Sequence, residues 1–107
     1  MILPSPILAY IDADKRNDGG ALIDAFSPDA VVRDDGQSHV GRDAIGAWWR
    51  MAKARYRHKI EPLEVTEMGD TANLLAKVTG QFPGSPATMT FAFRIEGNRI
   101  TGLEINP

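Results

Sequence analysis

Apolar residues recur at helical spacing through the first half of the chain and alternate with polar ones through the second. Pro6 suits a first helical turn, where its missing N–H is harmless. Ile7, Leu8, Tyr10, Ile11 and Asp14 follow at helical spacing, with an apolar stripe of Ile7, Leu8 and Ile11 and Tyr10 at its edge. Asn17-Asp18-Gly19-Gly20 ends this helix, and Asp18 can cap a short second one through Ala21, Leu22, Ala25 and Phe26. Ser27-Pro28-Asp29 breaks it. Ala30 to Asp34 then reads as a strand, with Ala30, Val32 and Asp34 on one face. Asp35-Gly36 is a hairpin signal, Ser38 to Val40 a short return strand, and Gly41 a sharp entry into a third helix. There Ile45, Trp48, Trp49, Ala52 and Tyr56 form one broad apolar face, while Arg50, Lys53, Arg55, Arg57 and Lys59 fill much of the remainder.

From Leu63 the period changes to two. Leu63 to Met68 forms a strand, and Ala72 to Phe82 a longer one; Ala87 to Ile95 and Ile100 to Ile105 complete a meander, with a bulge expected near Gly102. Helices with one hairpin inserted, followed by consecutive strands, predict an α+β fold: a curved sheet packed on three N-terminal helices. Long strands twist and curl, which leaves a pocket between the layers.

A chain of 107 residues fits one domain, 1–107, with a modest core. The absence of cysteine excludes disulfides, thiolate metal sites and thiol nucleophiles. A net charge of −2 gives no general attraction to nucleic acid or anionic lipid. The basic run Arg50 to Lys59 lacks interleaved aromatics on an exposed strand and reads as a solvated helix face. No apolar window approaches the roughly 20 residues that cross a bilayer, and MILPSPILAYIDADKR does not resemble a signal peptide, so a cytoplasmic address is expected. Neither nucleic acid nor membrane is expected as a partner. The only histidines, His39 and His58, stand at opposite ends of the third helix, and no carboxylate cluster at ligand spacing accompanies them, so no metal site is expected.

A helical Tyr10, a short helix ending in Phe26, Pro28-Asp29-Ala30-Val31-Val32, a short hairpin, Gly41-Arg42-Asp43-Ala44-Ile45 and a four-strand meander together resemble the SnoaL-like branch of the nuclear transport factor 2-like superfamily. The resemblance covers nearly the whole chain. It implies a cone-shaped α+β roll of the cystatin-like kind, with a curved mixed sheet, an internal pocket for a small apolar molecule, and homodimerisation through the outer sheet face. Superfamily members include cyclases, isomerases, dehydratases and non-catalytic binding modules, and this chemistry needs no cofactor. Against ketosteroid isomerase, a distant relative, Tyr10 falls where that family keeps an oxyanion-donating tyrosine and Asp34 where it keeps a general-base aspartate. The protonated acid of that family has no counterpart: Phe91 or a neighbour takes its place, and no carboxylate lies between Asp70 and Glu96.

The residues themselves support two readings. Asp34 shares a face with Val32, and Trp48 or Trp49 can cover it, as a general base in a pocket requires; the same Asp34-Asp35-Gly36 also reads as a plain hairpin turn with solvated acids. Tyr10 can donate to a developing oxyanion, or be a core tyrosine. His39 can reach across the hairpin toward Asp34 as an acid–base partner, or face solvent. Trp48 and Trp49 point about 100° apart, so one lines the pocket and the other packs against helix or sheet. Phe26, Val32, Trp48, Trp49, Met89 and Phe91 are the expected substrate-binding wall, and also an ordinary core. Glu104, flanked by Leu103 and Ile105, is expected to face solvent or a dimer partner. The chain therefore reads as an acid–base enzyme of isomerase, cyclase or dehydratase type, with Asp34 as base and Tyr10 as donor, or as a non-catalytic binding or dimerisation module.

Overall fold

The computed structural model describes residues 1–107. Three helices, α1 (Ser5–Arg16), α2 (Gly19–Asp24) and α3 (Arg42–Tyr56), pack on a curved sheet of six strands. The strands are β1 (Phe26–Asp34), β2 (Gln37–Val40), β3 (Lys59–Met68), β4 (Thr71–Thr79), β5 (Ala87–Glu96) and β6 (Arg99–Asn106), in spatial order β2-β1-β6-β5-β4-β3. Only β1 and β6 run parallel, so the sheet is mixed. The α+β class and the closing meander are those expected from the hydrophobic pattern.

Local chemistry fixes the joints. Asn17 ends α1 in the left-handed conformation (φ 59°), and Asp18 caps α2 by accepting from the Ala21 N–H at 3.1 Å. Asp35 and Gly36 both have positive φ, which suits a two-residue hairpin turn. That turn sets Asp34 at the last paired position of β1, opposite Gln37. Arg42, at the start of α3, donates from Nη2 and Nε to the Phe26 carbonyl at 2.7 and 3.1 Å. This ties the helix to the beginning of β1.

Three strand boundaries differ from expectation by three residues or more, the first being the end of β4, which stops at Thr79 rather than Phe82. β1 starts at Phe26 rather than Ala30, but its pairing with β6 jumps from Phe26 to Val31. Pro28, which has no N–H to offer a ladder, lies in that interruption. β3 starts at Lys59 rather than Leu63, because its first residues pair fully with the end of β4. The bulge expected near Gly102 is present: Arg94 faces Gly102 and Ile95 faces Ile100, leaving Thr101 unpaired.

The buried stripe of α1 is rotated from the expected one. Ile7, Tyr10, Ala13 and Asp14 are buried, whereas Leu8 is 55% exposed. The Tyr10 ring governs this choice. It lies between Phe26 and Phe93 in edge-to-face contact, with centroids 5.9 and 5.7 Å away, and an aromatic ring buries more apolar area than a leucine. Rotating Tyr10 inward carries Asp14, one turn later, inward with it.

Candidate functional site

Between the helices and the inner face of the sheet lies a cavity of about 670 Å³. Tyr10 from α1 and Trp48, Ala52 and Tyr56 from α3 line one side. Val78, Met89, Phe91 and Ile105 line the sheet side, and Asp34 stands at the hairpin end. Alternation along β1 explains that placement, since Ala30 and Val32 are buried on the face that Asp34 continues, and Asp34 itself is half-buried.

The Asp34 carboxylate accepts a hydrogen bond from Trp48 Nε1 at 3.0 Å. Asp34 is thus covered by a tryptophan and held in orientation, rather than bathed in solvent as a simple turn residue would be. Tyr10 is buried, at 1% exposure, and lines the cavity, yet its hydroxyl makes no hydrogen bond within the protein. Burial pushes its phenol well above the ordinary value, and the negative charges of Asp14 and then Asp34 push the same way. The phenol therefore keeps its proton and remains neutral.

The predicted wall divides. Trp48, Met89 and Phe91 line the cavity. Phe26 and Val32 are wholly buried in the core behind it. Trp49 turns away and donates from Nε1 to Asp14 at 2.8 Å. His39 is not joined to Asp34: it pairs across the hairpin with Val32 and lies against the Trp48 ring, with centroids 5.9 Å apart. Antiparallel pairing puts Gln37, not His39, opposite Asp34. Glu104 is exposed and stands on the rim of the cavity near Arg33 and Asp34.

A second polar cluster was not anticipated from the sequence. Asp14, 2% exposed, accepts from Trp49 Nε1 and His58 Nε2 at 2.8 Å each and from Lys53 Nζ at 3.1 Å. Lys53 Nζ also donates to the His58 carbonyl at 2.7 Å. Burial alone would raise the Asp14 carboxyl. The hydrogen bond and charge of His58, the Trp49 bond and the Lys53 charge outweigh it and hold the group below its usual value. Lys53 and His58, read as members of a solvated basic face, are instead mostly buried, their side chains 18% and 13% exposed. The available signal was spacing, since Asp14 follows Ile7 and Tyr10 at i+7 and i+4. His58 lines both the apolar cavity and an open polar groove of about 1210 Å³ bordered by Asp14, Lys53 and Trp49. No group of three or more potential metal-ligating side chains is present.

Three helices packed on a curved, mixed six-stranded sheet define a protein of the nuclear transport factor 2-like class. The chain belongs to the SnoaL-like domain family, whose model matches residues 7–103. A Sinorhizobium meliloti protein provisionally named a polyketide cyclase is 50% identical, with a TM-score of 0.95 over 97% of this chain and 95% of that one. A ketosteroid isomerase-like fold protein from Catenulispora acidiphila, solved in complex with trimethylamine, is 22% identical, with a TM-score of 0.87 over 99% and 87% of the two chains. A computationally designed 17-OHP binder is 18% identical, with a TM-score of 0.82 over 100% and 92%. No functionally curated protein matches the sequence significantly.

Proposed function

We propose that this protein performs cofactor-independent acid–base chemistry on a small apolar carbonyl compound, with Asp34 as general base and Tyr10 as hydrogen-bond donor. One observation carries the reading: an unbonded buried phenol and a tryptophan-held carboxylate face the same apolar cavity. Asp34 removes a proton from carbon next to the carbonyl. The C–H electron pair moves into the carbonyl, and Tyr10 donates to the resulting oxyanion. The protonated Asp34 can then return its proton to a second carbon of the same substrate, which is isomerisation; alternatively the enolate carbon attacks a second carbonyl carbon of the same molecule, whose C=O π bond breaks and whose oxygen takes the proton back from Asp34, which is cyclisation. The likeness to a chain provisionally named a polyketide cyclase fits this class. A homodimer joined through the outer sheet face belongs to the same proposal, and sedimentation equilibrium checks it.

A second reading is a non-catalytic holder of a small apolar ligand. The observation favouring it is Phe91: the strand position that would supply a second oxyanion donor carries a phenyl ring, 3% exposed in the cavity wall. Both readings are tested with 5-nitrobenzisoxazole, a compact apolar probe. Loss of its C–H proton to a base breaks the N–O bond and releases a coloured cyanonitrophenolate. Enzyme chemistry predicts turnover above buffer that falls at least tenfold in Asp34→Asn, in line with the usual weight of a general base. Binding of the probe, seen by tryptophan quenching, without such turnover supports the holder. Equal turnover by Asp34→Asn and the unaltered protein excludes Asp34 as base.

A further inference from the structure

We propose that His58, braced by Asp14, is a second acid–base group of the apolar cavity, an inference that rests on the reading above of that cavity as a site of proton transfer. Asp14 is almost wholly buried and fixes one ring nitrogen of His58 at 2.8 Å. A carboxylate bound to Nε2 favours the tautomer that carries its proton there, so Nδ1 presents a lone pair. That second nitrogen has no partner within the protein, yet no buried side-chain nitrogen or oxygen is left unpartnered, so Nδ1 reaches open space. His58 is among the residues lining the cavity that also holds Tyr10 and Asp34.

The surroundings suit proton transfer. When Nδ1 takes a proton from a substrate, the imidazolium formed lies against a carboxylate that already accepts from it. Trp49 and Lys53 keep that carboxylate from swinging away. The transfer is balanced: the substrate C–H or O–H bond breaks, an N–H bond forms at Nδ1, and the electron pair stays on the substrate. The reverse step returns the proton to a substrate atom. Because His58 also borders the open groove, the ring can exchange its proton with bulk water without opening the apolar cavity. A cavity with proton-transfer groups on β1 and just ahead of β3 suits reactions that remove a proton at one atom and deliver one at another. A single shuttling base serves only neighbouring atoms.

The test uses 5-nitrobenzisoxazole, which is small enough to meet either base. Asp34→Asn is expected to leave a residual rate above buffer. Adding His58→Ala is expected to lower that residue at least tenfold. Free imidazole should restore it saturably in the double variant and leave Asp34→Asn unchanged. His58→Gln, which can still donate to Asp14 but has no basic nitrogen, should lose the residual rate as fully as His58→Ala; a purely structural role would be rescued by Gln. The inference is overturned if Asp34→Asn has no residual rate, if that rate survives His58 replacement, or if Gln retains it. None of these outcomes touches the wild-type to Asp34→Asn loss that carries the proposed function. If Asp34→Asn instead keeps full activity while His58 replacement abolishes it, Asp34 falls as base and the His58 assignment stands.

Discussion

Replacing Asp14 by Asn should destabilise the protein markedly near neutral pH and hardly at all in acid. The carboxylate takes three donors: Trp49 and His58 on Oδ1 and Lys53 on Oδ2. An asparagine can keep its carbonyl toward Trp49 and His58, but its NH₂ then faces the Lys53 ammonium, donor against donor. A hydrogen bond to a charged group contributes about 1.5–3 kcal/mol, and breaking a buried ion pair costs about 3–5 kcal/mol. Lys53 is partly exposed and retains the His58 carbonyl, so the lower part of that range applies. The expected loss is about 2–3 kcal/mol near pH 7, a large share of the roughly 5–15 kcal/mol that holds a small domain together, and roughly 10–20 °C in Tm.

The pH dependence follows from the direction of the Asp14 shift. The folded carboxyl lies below its ordinary value of 3.8, so the folded state resists protonation more than the unfolded chain does. Its contribution is complete above the ordinary value and is lost as pH falls from there through the lower folded value. The gap between wild type and Asp14→Asn should therefore be full above the ordinary carboxylate range and close progressively as pH falls below it. Urea melts followed by tryptophan fluorescence measure it directly, since Trp49 donates to Asp14. A gap under about 1 kcal/mol near neutrality, or one that persists undiminished in acid, would refute the argument that a buried charge organises this cluster.

Tyr10→Phe removes a hydroxyl that bonds to nothing in the protein. Stability to urea should stay within about 0.5 kcal/mol of wild type, while probe turnover falls about tenfold or more; a large stability loss would mean the phenol is structural. Trp48→Phe deletes the Nε1–H that holds Asp34 at 3.0 Å. It should cost about 1 kcal/mol in a urea melt and slow the probe severalfold as the carboxylate loses its orientation, and unchanged turnover would show that the contact does not position the base. Gly36→Ala places a side chain at φ +75° in the turn that sets Asp34. No atom lies within 4 Å of the added Cβ, so the loss should be the backbone strain alone, about 1–2 kcal/mol by chemical denaturation. A neutral or stabilising result would refute the strained turn.

What could be read in advance separates by the range of the interactions involved. Asp34 was legible because strand alternation is a local rule: once Val32 is inside, Asp34 is on the same face and the Asp35-Gly36 turn ends the strand there. Trp48 over Asp34 required only that the hairpin and the following helix pack together. His39 was misplaced for an equally local reason, since one residue of hairpin register decides whether it faces Asp34 or Val32. The Asp14 cluster is different in kind. Its members come from α1, from α3 and from the second residue after α3, and they meet only because β3 begins at Lys59 and brings His58 back over the opening helix. A charged residue near a helix end is solvated by default, so Lys53 and His58 looked like surface until a buried partner was known. Yet the partner was implied once Tyr10 was placed in the core, because a residue four positions further along a helix follows the same face. A buried acid at that position demands cations, and among the available side chains the basic segment that ends α3 could supply them. The polar cluster beside the cavity is therefore a consequence of the Tyr10 rotation: the ring that fills the space between Phe26 and Phe93 also commits Asp14, and through it His58, to the interior.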